Sequence, residues 1–177
     1  ALELDVRGMA VNRYCASGLE AISIATAKIR AGMSHIYVAG GAESMSSIPM
    51  TGYKFAPNYN ITRNTPDYVA GMGHTAEAVA KKWGITREAQ DEFSVRSHQR
   101  AAAAIDAGKF EAEILPIDVE EVYVEDNVKK TRSWTVSVDQ GVRRVITKKA
   151  LGRLNPAFIN NGTVTAGNSS QTSDGAA

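Results

Sequence analysis

The sequence predicts an α/β fold, and two observations carry that prediction. Residues 9–39 read as one strand–helix–strand unit: a short apolar run, a long helix nearly free of charge, and a second apolar run bounded by glycines. Beyond residue 70, helical patterns give way to strand patterns. The length of 177 residues fits one domain of ordinary size, or a core with a modest insertion.

The first strand is expected over Met9, Ala10 and Val11. The helix is expected over 16–30, where Ala16, Leu19, Ala21, Ile22, Ile24, Ala25, Ala27 and Ile29 occupy nearly every face and only Glu20, Lys28 and Arg30 are charged. A helix apolar all round is expected to be buried on all sides, and Gly32 supplies its stop. Ile36, Tyr37, Val38 and Ala39, bounded by Ser34 and by Gly40-Gly41, suit a strand of a parallel sheet. The connection between the two strands would be right-handed.

Residues 46–70 carry Pro49, Pro57 and Pro66 with Asn58, Asn60 and Asn64, which predicts irregular, turn-rich chain. Helical pattern returns at Thr75–Trp83, closed by Gly84, and again at about 87–107, with Thr86 as its cap, Glu88 in its first turn and Gly108 at its end. Strands are predicted over 113–119, 122–124 and 134–138, with the charged stretch before Trp134 as hairpin or loop. Lys148–Leu154 forms a short helix that stops at Asn155-Pro156, since the residue before proline is pushed out of helical geometry. Residues 162–170 are small, polar and punctuated by Gly162 and Gly167, a composition that lets a ligand approach the backbone closely.

Composition excludes several classes of function. Hydrophobic residues make up 44% and charged residues 22%, with no apolar run near the roughly 20 residues of a membrane span. No signal-like segment stands at the amino terminus. A net charge of +1 gives no general electrostatic reason to bind nucleic acid or an anionic membrane. The single cysteine, Cys15, excludes an internal disulfide framework and a cysteine-cluster metal site. It suits a reducing compartment: the cytoplasm, a mitochondrial matrix or a peroxisome. His35, His74 and His98 are too far apart in sequence to form a local metal site, and no metal is expected. The G-x-S-x-G, G-x-x-x-x-G-K and strand-linked G-x-G-x-x-G signatures are absent, so serine-hydrolase, P-loop and dinucleotide-binding readings lack their anchors.

Cys15 stands where the first strand hands over to the helix. A helix N-terminus carries about half a positive charge and unpaired N–H groups that favour a thiolate. Position alone also suits a small buried hydrophobe, the commoner fate of a free cysteine.

The segment Asn12-Arg13-Tyr14-Cys15-Ala16-Ser17-Gly18-Leu19-Glu20, with Val38-Ala39-Gly40-Gly41-Ala42-Glu43-Ser44 after it, resembles the nucleophile segment of the thiolases, and specifically of the degradative 3-ketoacyl-CoA thiolases. Three further blocks match in order: Gly71-Met72-Gly73-His74-Thr75-Ala76-Glu77; Gln90-Asp91-Glu92-Phe93 with Arg96–Ala101; and Asn155-Pro156-Ala157-Phe158 with residues 162–177. The resemblance covers essentially the whole chain.

It implies a partial thiolase fold. Residues 1–44 would be part of the N-terminal core with the nucleophile, 45–163 a loop-domain insertion that binds coenzyme A, and 164–177 the return to the core. Cys15 matches the family's acyl-accepting nucleophile, which carries the acyl group as a thioester before handing it to coenzyme A. Met72 matches a methionine lining the acyl and pantetheine pocket, Ala166 and Ser170 match positions on the pantetheine arm, and Arg143 and Phe158 match loop positions at the nucleotide end. Taken alone, Met72 reads as core filler, Ser170 as a turn former and Arg143 as a solvated charge.

No cofactor is implied, since coenzyme A and acyl-CoA enter as substrates, and the complete protein would be a homo-oligomer, a dimer or tetramer. The family's activating histidine and second cysteine belong to a second core half that these residues do not include, so this polypeptide alone is expected to be inactive. The remaining readings are a biosynthetic acetoacetyl-CoA thiolase, a non-catalytic module that binds coenzyme A or a partner, and a ketoacyl synthase, which lacks a long insertion of this kind.

Overall fold

A computed structural model describes residues 6–177; the first five residues of the expected 1–44 segment lie outside the described residues. The chain forms two compact units, one of residues 1–56 with 172–177 and one of 57–171.

In the first unit, helix α1 (Ser17–Arg30) starts one residue later than the sequence predicts. It ends on Gly32 at φ 69°, where the Gly32 N–H donates to the Ile29 carbonyl at 3.0 Å and the Met33 N–H to the Lys28 carbonyl at 3.0 Å. This pair of bonds satisfies carbonyls that a helix end leaves orphaned, and it needs a residue that tolerates a left-handed backbone. Contrary to expectation, α1 buries none of its residues: Leu19 is 73% and Ile22 55% exposed.

Residues 9–11 and 36–39 form no strand, and Ile36 and Val38 are exposed. A strand buried on both faces needs neighbours that take its backbone hydrogen bonds and helices that cover it. The described residues supply one short neighbour, and it pairs further along the chain. Strands β1 (Ala42–Ser44) and β4 (Asp174–Ala176) run antiparallel, with Glu43 opposite Gly175. Gly41 and Ala177 extend the ladder by exchanging N–H to carbonyl bonds of 2.8 and 2.9 Å. The Asp174 carboxylate accepts both the hydroxyl and the N–H of Ser46, which hold it below the usual carboxylate range.

In the second unit, the stretch expected to be irregular contains helix α2 (Tyr59–Asn64), and a 3₁₀ turn over Pro66–Val69 follows it. The Asn58 side chain caps α2 by accepting the N–H groups of Asn60 and Ile61, so an asparagine that reads as a loop former acts as a helix start. Helix α3 (Met72–Trp83) begins three residues before the predicted start and ends on Gly84 at φ 64°. Helix α4 (Arg87–Asp106) opens with the Thr86 hydroxyl accepting the Ala89 N–H at 3.2 Å and closes on Gly108 at φ 66°.

The predicted strands merge into one hairpin, β2 (Ile117–Glu125) and β3 (Val128–Val136), in which Val119 faces Trp134 and Glu121 faces Arg132. Its two-residue turn is Asp126-Asn127, both at positive φ. That geometry matches the twist of the flanking strands and suits these two residue types. The charged stretch therefore lies mostly within β3, where Arg132 sits between the rings of Tyr123 and Trp134 at 5.5 and 5.4 Å. Helix α5 (Lys148–Leu151) is a single turn capped by Thr147.

The fold class is α/β. The most buried residues of the second unit include Ala80, Leu151 and Val164 together with Glu77, Asp91 and Thr165, so its centre is half polar.

Candidate active site

Cys15 is exposed, immediately before the first turn of α1. Its neighbours fix the turn that presents it. The Asn12 side-chain oxygen accepts the Tyr14 N–H at 2.8 Å; the Ser17 hydroxyl accepts the Arg13 N–H at 2.8 Å and donates to the Tyr14 carbonyl at 2.7 Å. The Ala16 N–H reaches the Arg13 carbonyl at 3.0 Å, and Arg13 pairs with Glu20 at 3.1 Å. Tyr14 has φ 50°, an uncommon backbone state for a bulky residue and one that these bonds stabilise. Ala16 caps α1 with no side-chain hydrogen bond, and Glu20 stands in its first turn, so Cys15 lies two residues before a helix N-terminus that no side chain caps. The sequence placed Cys15 at the start of the helix, as observed, but gave no sign of the backbone state of Tyr14, which leaves no mark on composition. Nor did it find the double role of Ser17, for which serine near a helix start is the available signal.

The other candidates lie in the second unit, where several are linked by contact. Gly73, beside Met72 in the first turn of α3, lies under the Phe158 ring, and any side chain there would overlap it. The His74 ring meets Phe158 edge-on with centroids 6.2 Å apart. Phe158 follows Ala157, whose N–H donates to the Val164 carbonyl at 2.9 Å, and Pro156 pairs with Thr165 next to Ala166. Gly141 lies against the Gln171 side chain, so the loop that carries Arg143 is beside the residue following Ser170. The Arg143 N–H donates to His98 Nδ1 at 3.1 Å, and its side chain is exposed.

Beneath this row lies a polar network that the sequence did not disclose. The buried Glu77 carboxylate accepts the N–H of Thr163, the N–H of Val164 at 2.8 Å and the Thr163 hydroxyl at 3.0 Å. Burial pushes its carboxyl up, but the bonds from Val164 and Thr163 and the nearby His74 outweigh that and leave it below the usual value. Asp91 accepts Arg87 Nε at 2.9 Å and Asn168 Nδ2 at 3.0 Å, and Arg87 Nη2 donates to the carbonyls of Leu151 and Leu154 at 2.7 and 3.0 Å. The available signal was an acid on a packed helical face, Glu77 three residues before buried Ala80. An open groove of about 560 Å³ runs along α3 past Glu77, Lys81, Ile85, Ile159 and Thr163, and none of the sequence-derived site residues lines it. Among the described residues, no helix is long and apolar enough to cross a membrane.

The family model of the thiolase N-terminal domain matches residues 1–177. A 3-ketoacyl-CoA thiolase of Bacillus subtilis is 51% identical over 99% of this chain and 45% of its own length. An acetyl-CoA acetyltransferase of Escherichia coli is 41% identical over 97% of this chain and 45% of its own. The dimeric peroxisomal thiolase of Saccharomyces cerevisiae superposes with a TM-score of 0.76 at 36% identity, over 94% of this chain and 41% of that one. The chain thus spans less than half the length of these relatives. With the family model matched from end to end, the chain belongs to the thiolase family.

Proposed function

We propose that this chain is the part of a 3-ketoacyl-CoA thiolase that carries the acyl-accepting cysteine and the coenzyme A pocket, with residues 1–44 in the core, 45–163 as the insertion and 164–177 returning to the core. One observation carries the reading: Cys15 stands exposed two residues before α1, whose N-terminus no side chain caps, in a turn fixed by its neighbours. In the first half-reaction the Cys15 thiolate attacks the 3-keto carbonyl of a 3-ketoacyl-CoA. The bond between carbons 2 and 3 breaks, its electron pair leaves with acetyl-CoA as an enolate, and a general acid supplies the proton. In the second, the coenzyme A thiolate attacks the acyl-cysteine, acyl-CoA departs and Cys15 is regenerated. A thiol suits both halves, since it attacks a carbonyl well and leaves readily, whereas a serine alkoxide leaves poorly.

Met72 would line the acyl and pantetheine pocket, Ala166 and Ser170 would contact the pantetheine arm, and Arg143 and Phe158 would hold the nucleotide end. The contacts that join Phe158 to Gly73, and Pro156 to Thr165, support this grouping. Coenzyme A acts as a substrate, and a free thiol suits a reducing compartment. The name of the yeast relative supports a homodimer for the complete protein.

The acid and base come from a second core half. Each such group typically contributes about 100- to 10,000-fold, so the 177-residue chain alone is expected to turn over no acetoacetyl-CoA. The test is mass spectrometry of the complete protein after incubation with acetyl-CoA, where the Cys15 peptide should carry an acetyl group. Full turnover by a Cys15→Ala variant would reject the reading.

A biosynthetic acetoacetyl-CoA thiolase is supported by the Escherichia coli relative. The higher identity to the Bacillus subtilis enzyme favours the degradative reading. A profile of activity against acyl chain length separates the two, because a biosynthetic enzyme would use only the shortest substrates.

A further inference from the structure

The loop from Thr163 to Ser170 has a side chain at its centre whose three hydrogen bonds all point inward. Asn168 Oδ1 accepts the Thr165 N–H at 2.7 Å, while Asn168 Nδ2 donates to Asp91 Oδ1 at 3.0 Å and to the Thr163 carbonyl at 3.0 Å. The amide orientation follows from its partners, because Thr165 offers only a proton there and Asp91 and the Thr163 carbonyl offer only lone pairs. The loop closes on itself as well: Ser169 Oγ donates to the Thr165 carbonyl at 2.7 Å, and Thr165, fully buried, accepts the Gly167 N–H at 3.2 Å. Asp91 is held in turn by Arg87, which is tied to the α5 segment. Among the described residues, no buried side-chain nitrogen or oxygen lacks a partner. A polar network satisfied throughout specifies one geometry, and a partly satisfied one is a liability.

We propose that Asn168 is a positioning residue. Through Asp91 and the Thr163 carbonyl, it holds the loop bearing Ala166 and Ser170 in the shape that receives the pantetheine arm of coenzyme A. The proposal rests on the coenzyme A reading given above. All three hydrogen bonds of the Asn168 side chain are made to this chain's own groups, so it acts through them. Its effect falls first on the pantetheine half, because its own bonds go to Thr163, Thr165 and Asp91, whereas Arg143 and Phe158, assigned to the nucleotide half, reach that segment only through neighbouring residues.

The test is calorimetric titration of the complete protein with coenzyme A and, separately, with its nucleotide half, 3′-phospho-ADP. An Asn168→Asp change keeps the acceptor for Thr165 but sets a second carboxylate against Asp91 and the Thr163 carbonyl. Coenzyme A should bind about 10-fold more weakly, a loss of about 1.4 kcal/mol, while 3′-phospho-ADP should lose clearly less. Adding Asp91→Asn restores a donor opposite the new carboxylate, and coenzyme A affinity should partly recover. If the Asn168→Asp chain does not fold, Asp91→Asn alone, which keeps side-chain volume, gives the same two-ligand comparison. Equal weakening of both ligands, or of neither, overturns the proposal. A complete wild-type protein that binds neither ligand overturns the coenzyme A reading itself, and this proposal with it.

Discussion

The carboxylate of Glu77, on α3, accepts the backbone N–H of Thr163 through both of its oxygens, at 2.8 and 3.0 Å, although the two residues are 86 positions apart. A side chain thus does for the 163–164 segment what a neighbouring strand would do, and the segment keeps its path only while the carboxylate is there. Glu77→Ala leaves the part-buried N–H of Thr163 and the buried N–H of Val164 without their acceptor. Each such orphan costs about 1–3 kcal/mol, so the expected loss is about 2–6 kcal/mol. Glu77→Gln, which keeps one acceptor oxygen, should lose roughly half as much. Urea unfolding of the two variants, with the amides of 163 and 164 followed by hydrogen exchange, checks both the size and the place of the effect.

The same carboxylate sets a pH dependence. Its pKa is lower in the folded chain than in the unfolded one, where a glutamate titrates near about 4.3. Below that value the unfolded state binds more protons. The stabilisation is therefore fully present at higher pH and is lost as pH falls below about 4.3 toward the folded value. Glu92, bonded to Lys148, and Asp174, bonded to Ser46, shift in the same direction on the surface. Unfolding midpoints measured between neutral pH and pH 3 should fall most steeply at the acid end. The slope should flatten in Glu77→Gln; an unchanged slope would assign the acid sensitivity to other groups.

Gly73 makes a prediction of a different kind. A methyl group there overlaps the Phe158 ring. Alanine gains about 1 kcal/mol of helix propensity over glycine, whereas overpacking costs about 1–3 kcal/mol when the neighbour cannot yield. Phe158 is 40% exposed, so its ring has room to swing outward, and the two effects should nearly cancel in stability. What changes is the position of the ring against His74. Gly73→Ala should leave the melting temperature close to wild type while weakening coenzyme A binding, measured in the same titration.

What the sequence disclosed divides along the range of the forces involved. The ends of α1, α3 and α4 were legible because Gly32, Gly84 and Gly108 and the cap Thr86 act within a few residues of themselves. The place of Cys15 just before α1 was legible for the same reason. The strands at 9–11 and 36–39 were misread because a strand exists only with a partner, and nothing in Ile36–Ala39 says whether one is present. Helix α2 was missed because Asn58 serves a turn and a helix cap equally well. Glu77, Asp91 and Asn168 were invisible as a group, since their bonds span 86, 77 and 77 positions and each residue alone reads as a surface polar group.

Helix α1 supplies the last prediction. Expected to be buried on every face, it buries none of its residues: Ala21, Ile24 and Ala25 are half-buried, and Leu19 at 73%, Ile22 at 55% and Ile29 at 43% are exposed. Burying one such side chain is worth about 1.5–3 kcal/mol, and a cluster of this kind rarely stays in water. The 177-residue chain by itself should therefore associate as its concentration rises. Leu19→Glu with Ile22→Glu places two charges on that surface, and the weight-average mass in sedimentation equilibrium should fall toward that of the monomer. The helix itself should survive, because glutamate is as good a helix former as leucine and better than isoleucine. Far-UV circular dichroism of the double variant separates dissociation from unfolding. A monomeric wild-type chain at high concentration would mean that this apolar surface is covered within the chain.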